Sequence, residues 1–88
     1  MIVEFRKRFL KDIRQIKDDS IKARIRDTIQ AIESADDLTG FPNLKKLKGY
    51  SDYYRLRLGD FRMGIKAQGD TVVFLRFLHR KDIYRFFP

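Results

Sequence analysis

Cysteine is absent from this 88-residue chain, and histidine occurs once, at His79. These two shortages exclude disulfide staples and the usual Cys/His zinc sets, the common supports of a fold this small. No apolar run approaches the roughly 20 residues of a membrane helix. The start Met1–Phe5 is too short and too soon charged for a signal peptide, so the expectation is a cytoplasmic protein with no membrane partner. The acidic residues are scattered and form neither a glycosidase-type carboxylate pair nor a two-metal cluster. Gly59 and Gly64 do not build a phosphate-cradling loop ahead of a helix. Any nuclease chemistry is therefore expected to run without a metal or cofactor. There is no repeat, linker or low-complexity stretch, which gives one domain over residues 1–88.

With no staples, the core must come from apolar side chains. A chain of this size buries only about 60% of its unfolded surface. Eight Phe and four Tyr are available for that work. Charge is the other resource, and it is unevenly placed. The formal net charge is +8. From Leu44 to Pro88 there are 11 basic residues against 4 acids, so that half carries +7 of it.

The first half reads as a short strand and two helices. Ile2-Val3-Glu4-Phe5 is β-branched and aromatic. Phe9, Leu10, Ile13 and Ile16 then follow helical spacing. Asp18-Asp19-Ser20 interrupts the pattern and supplies N-cap residues for a second helix. Its apolar stripe is Ile21, Ile25, Thr28, Ile29 and Ile32, with Lys22, Arg24, Arg26 and Asp27 facing out. Gly40 and Pro42 mark the stop. So short a break between helices predicts an antiparallel hairpin.

From Leu44 the period becomes two. Strands are expected at Leu44–Lys48, Tyr53–Leu58, Phe61–Ala67 and Thr71–Leu78, with Gly- and Asp-bearing turns short enough to force antiparallel neighbours. The nearly continuous apolar run in Thr71–Leu78 predicts a central strand covered on both faces. Asp82–Phe87 is expected to form a last helical turn. The fold class is α+β: the N-terminal strand, the helical hairpin on one face of a four- to five-stranded, mainly antiparallel sheet, and the C-terminal turn. The other, cationic, face is expected to stay open.

That open face carries the candidate site. Alternation places Arg55 and Arg57 together, and the Gly59-Asp60 turn can bring Arg62 beside them. Converging guanidinium groups repel unless an anion sits between them, and nucleic acid is the commonest polyanion. The same pattern also suits a merely solvated sheet face. Lys45, Lys46 and Lys48, like Arg6-Lys7-Arg8, suit backbone contacts with RNA or DNA that need charge and little geometry. In His79-Arg80-Lys81-Asp82-Ile83-Tyr84, polar groups follow the end of a buried strand. His79 can move a proton near neutral pH, Arg80 can hold a phosphate oxygen, and Tyr84 can stack on a base or donate its hydroxyl proton. Ile83, Phe86 and Phe87 are expected to pack against the sheet.

Taken with the element order, Leu44-Lys45-Lys46-Leu47-Lys48-Gly49, Tyr54-Arg55-Leu56-Arg57-Leu58-Gly59-Asp60-Phe61-Arg62 and Leu78-His79-Arg80-Lys81-Asp82-Ile83-Tyr84-Arg85 resemble the RelE/ParE superfamily of type II toxins. The resemblance spans essentially the whole chain. It implies one of two activities. RelE-like members cleave messenger RNA in the ribosomal A site, leaving a 2′,3′-cyclic phosphate. ParE-like members poison DNA gyrase without chemistry of their own. The pattern Arg55, Arg57, Arg62, Arg80 and Tyr84 favours the ribonuclease branch. In the best-known RelE site Lys stands where this chain has Arg55 and Arg57, and a guanidinium, which keeps its proton in proteins, fits charge stabilisation rather than proton abstraction. The resemblance also implies ribosome and message as partners, and an acidic antitoxin held in a hetero-oligomer.

Overall fold

A computed structural model describes residues 1–88. The elements run β1 (Ile2–Phe5), α1 (Lys7–Arg14), α2 (Asp19–Ser34), β2 (Leu44–Lys46), β3 (Tyr53–Leu58), β4 (Phe61–Gln68), β5 (Thr71–His79) and α3 (Ile83–Phe86). Asp18 caps α2 as its sequence position predicts, accepting from the backbone N–H groups of Ser20 at 2.8 Å and Ile21 at 3.3 Å. The five strands form one sheet in the order β1-β5-β4-β3-β2. Only the β1–β5 pair is parallel. No helix is long and apolar enough to cross a membrane.

The expected alternation decides which residues enter the core. Leu56 and Leu58 from β3, Met63 and Ile65 from β4, and Val72, Phe74 and Phe77 from β5 are buried with Phe9 of α1 and Ile25 and Ile32 of α2. Phe5, Phe9 and Phe74 meet with ring centroids 5.3–5.9 Å apart, fastening β1 and α1 to β5. Each fully buried aliphatic or aromatic side chain contributes roughly 1.5–3 kcal/mol. Twelve such residues are what the chain has in place of a disulfide or metal.

Three expectations change. β2 stops at Lys46 and β5 runs on to His79. β5 is interior, between β1 and β4, but the middle position belongs to β4. A register shift between Gly64 and Ile65 also puts Arg76 opposite Gly64 and Phe74 opposite Ile65. The extra residue, Leu75, breaks strict alternation, so Phe74 and Phe77 are both buried although three positions apart. A β-bulge does this by opposing two residues to one. β1 ends opposite Phe74, leaving the far edge of β5 without a strand. Asp12 of α1 closes that edge, accepting from the Phe77 N–H at 2.9 Å and from Arg76 Nε at 2.8 Å. Both side chains of this ion pair are nearly buried, and removing one partner of such a pair costs about 3 kcal/mol.

The third change concerns the outer face of the sheet. α3 folds back over it, burying Ile83 and Phe87. Phe86 does not pack as expected and stays half exposed. α3 therefore covers part of the cationic face, and the part over β2, β3 and the start of β4 stays open.

Candidate functional site

Pairing of β3 with β4 sets Arg57 directly opposite Arg62 and Arg55 opposite Gly64. Pairing of β2 with β3 sets Lys45 opposite Arg55. All four basic side chains leave the same face, as period-two alternation requires. They line a groove of about 340 Å³ with Pro42 and Asn43, and no hydrophobic side chain takes part. Asn43 is held there because its carbonyl accepts the Arg57 N–H at 3.0 Å.

Arg62 is the centre of the cluster. One of its terminal nitrogens donates to the Gly59 carbonyl at 3.0 Å and the Phe61 carbonyl at 2.9 Å, which pins the side chain across the tight turn. Burial, then the charges of Arg55, Arg57 and Arg80, pull its pKa below the usual guanidinium value, and Asp60 only partly offsets them. The side chain nonetheless stays protonated. Concentrated positive charge around Arg62 is thus a property of the folded site. A bound anion would relieve the repulsion.

Arg80 arrives from the other strand. Its backbone N–H donates to the Asp60 carbonyl at 2.8 Å, tying the end of β5 to the β3–β4 turn. Its side chain then faces a second recess with Arg57 and Arg62. Tyr84 is 63% exposed on α3, and the Arg55 guanidinium lies 5.1 Å from its ring centroid. The ring is thus held at the groove's edge with a face free to receive a base.

The remaining candidates separate. His79 pairs with Phe61, and their rings meet edge to face at 5.8 Å. Phe61 packs against the core, so His79 is half-buried on the helix side of the sheet while Arg62 leaves the other side. Its Nδ1 accepts the Lys81 N–H at 3.1 Å. Lys46 pairs with core-facing Tyr54, so its register is opposite to that of Lys45. Lys48 is exposed beyond the end of β2. Of the three lysines only Lys45 joins the arginines.

Sequence reasoning passed over Asn43 and Arg24. Asn43 carried a faint signal, standing between the helix-stopping Pro42 and the first basic strand. Arg24 carried none, because it looks like any solvated helix residue until α2 is laid beside the Gly59-Asp60 turn.

Comparison with known proteins agrees with this fold. The sequence profile of the family described as "ParE toxin of type II toxin-antitoxin system, parDE" matches residues 3–84. Toxin RelE3 of Methanocaldococcus jannaschii is 43% identical over 89 residues, spanning 100% of both chains. The toxin in a RelB-RelE antitoxin-toxin complex from Methanococcus jannaschii superposes with a TM-score of 0.82 at 41% identity, covering 97% of this chain and 99% of that one. A RelE-RelB complex from Pyrococcus horikoshii OT3 gives 0.74 at 22% identity, covering 90% and 93%, a likeness of fold alone. The chain belongs to the ParE toxin family of the RelE/ParE superfamily, and it is a RelE-type toxin of a type II toxin-antitoxin system.

Proposed function

We propose that this toxin inhibits translation by cutting messenger RNA on the ribosome. The observation that carries the reading is the convergence of Arg55, Arg57 and Arg62 on one polar groove, with Arg80 in the adjoining recess that shares Arg57 and Arg62, and an exposed tyrosine beside Arg55. The reaction is attack of a nucleotide's 2′-oxygen on the adjacent phosphorus. The bond from phosphorus to the 5′-oxygen breaks, giving a 2′,3′-cyclic phosphate and a 5′-hydroxyl. The 2′-hydroxyl gives up a proton and the departing oxygen takes one. Arg62 and Arg80 hold the phosphate and stabilise charge on the phosphorane. Arg55 and Arg57 add charge and place the strand, and Tyr84 stacks on a base and protonates the leaving oxygen. Lys45 extends the cationic track to the sheet edge, and Lys46 and Lys48 remain for peripheral contact with ribosomal RNA.

The profile named for ParE keeps gyrase in play as the alternative target. One pair of assays decides. In a translating extract, mapping of message ends should give cuts that require ribosomes and leave cyclic phosphates. Intact message combined with loss of DNA supercoiling would give the gyrase reading instead.

A relative crystallised in a RelB-RelE antitoxin-toxin complex supports an antitoxin partner for this chain as well. An acidic amphipathic segment suits it. Ile13, Ile25 and Ile29 line an open groove of about 510 Å³ between α1 and α2, rimmed by Arg14, Lys22 and Arg26. A partner that also crosses the arginine face should bind less tightly as salt rises. It can do so by covering the groove or by lifting the segment Asp82–Pro88.

A further inference from the structure

We propose that Arg24 of α2 forms, with Arg57, Arg62 and Arg80, a second phosphate subsite that takes the next phosphodiester of the RNA strand. The subsite rests on the RNA-cleavage reading and adds to it a residue from the helical layer. Arg24 is exposed on α2, and one of its terminal nitrogens lies 3.1 Å from where a Cβ on residue 59 would stand. Residue 59 is glycine with φ +61, so the turn both needs glycine and leaves that space to the arginine. Arg24 thereby reaches over the turn and becomes a wall of the second recess.

That recess measures about 440 Å³ and is lined by Arg24, Asn43, Arg57, Arg62, Arg80 and the Gly59-Asp60 turn. It holds four arginines against one carboxylate, Asp60, and none of the four is in an ion pair. Asn43, Arg57 and Arg62 belong also to the first groove, so they form the partition between two adjoining cationic recesses. A single small anion would satisfy one of them. Two that share a wall match a ligand with phosphates in series. An extended strand can enter past Lys45, cross Arg62 and leave past Arg24. The guanidinium forks are suited to phosphate oxygens, and the Tyr84 ring beside Arg55 offers a base a stacking surface that an acidic peptide would not use.

Binding of short RNAs tests this without any cleavage. The full chain is titrated by NMR with 2′-O-methyl dinucleotide (one phosphate) and trinucleotide (two phosphates) across a range of salt. Each neutralised phosphate of a single strand adds roughly 0.7 to the slope of log affinity against log salt. The trinucleotide slope should exceed the dinucleotide slope by about that amount in the parent chain. Arg24→Ala should bring the trinucleotide slope down to the dinucleotide value and leave the dinucleotide itself unchanged, and Arg24→Lys should restore most of the difference. Equal slopes in the parent, a trinucleotide slope unchanged in Arg24→Ala, or an equal fall for both ligands would each overturn the subsite. So would a variant whose only loss is affinity for a Glu-rich peptide, since the recess would then serve a protein. Slopes as expected beside uncut message would instead leave the subsite standing and overturn the ribonuclease reading.

Discussion

The ring of Phe87 occupies the place where residue 64 would carry a side chain: a Cβ built on Gly64 falls 2.6 Å from Phe87 Cδ1. Glycine inside a strand weakens it, and the usual reason to find one there is the close approach of another segment. The approaching segment is α3 with its C-cap, which seats Phe87 against Gly64 and edge to face with Tyr53 at 5.9 Å. α3 in turn carries Tyr84, so this contact sets where the tyrosine stands.

Gly64→Ala should therefore act on the C-terminal segment first. We expect a loss of about 1–3 kcal/mol, the scale of overpacking a well-filled site. Amide exchange at Phe87, whose N–H donates to Ile83, should accelerate. In a Phe87→Ala background the same substitution should cost nothing, because the clashing ring is gone. An equal loss in both backgrounds would place the strain elsewhere in the sheet.

Acid should expose the N-cap of α2. Hydrogen bonds from the Ser20 hydroxyl first, then from the Ile21 and Ser20 N–H groups, hold the Asp18 carboxyl below its ordinary 3.8. A carboxylate favoured by folding contributes its stability above the unfolded pKa and loses it as pH falls through the lower folded value. The melting temperature of Asp18→Ala should accordingly lie below that of the parent by a constant amount from pH 7 to about pH 4. The gap should narrow as the pH drops further. A gap that stays constant down to pH 2 would mean that the charge of Asp18 does not matter.

The elements were legible in the sequence because each rests on a local rule. Period two from Leu44, the Asp18 cap and the Gly59-Asp60 turn all appear in the structure where spacing and residue type put them. What was not legible depends on contacts between distant residues. Strict alternation would put Leu75 in register with Phe77. The bulge breaks that, and Leu75 lines the groove beneath Phe86 and Phe87 instead. Nothing near Gly64 signals that Phe87 will lie on it. The triad Arg55, Arg57 and Arg62 could be read from two paired strands, whereas Arg24 needed the helix layer and Lys46 needed the register of an edge strand.

The arginine cluster should be sensitive to single deletions. Arg62→Ala or Arg80→Ala should lower ribosome-dependent cleavage by roughly 10²-fold or more, the scale for losing one stabiliser of transition-state charge. Arg80→Ala should fold normally, since the tether of Arg80 to Asp60 runs through its backbone. Arg62→Ala also loses two bonds to the turn, so Arg62→Lys is the useful companion, keeping charge without the planar fork. Soluble variants that cut at the parental rate would move the phosphate away from Arg62.

Tyr84 and His79 compete for the role of proton donor, and their surroundings favour the tyrosine. A phenol with a pKa near 10 is protonated at neutral pH and can donate without tuning. Tyr84 is exposed beside Arg55, on the face that carries the arginines. A free imidazole titrates near 6.5, better matched to neutral chemistry. But His79 stands with Phe61 on the helix side of β5, and its Nδ1 is taken up by the Lys81 N–H. Tyr84→Phe keeps the ring and the contact with Arg55 and removes only the hydroxyl. It should slow cleavage by about 10²-fold, within the range for general acid catalysis, while RNA affinity stays near parental. His79→Gln should retain most activity, because a glutamine can still accept the Lys81 N–H. Parental cleavage in Tyr84→Phe together with its disappearance in His79→Gln would reverse the assignment and make the histidine the acid.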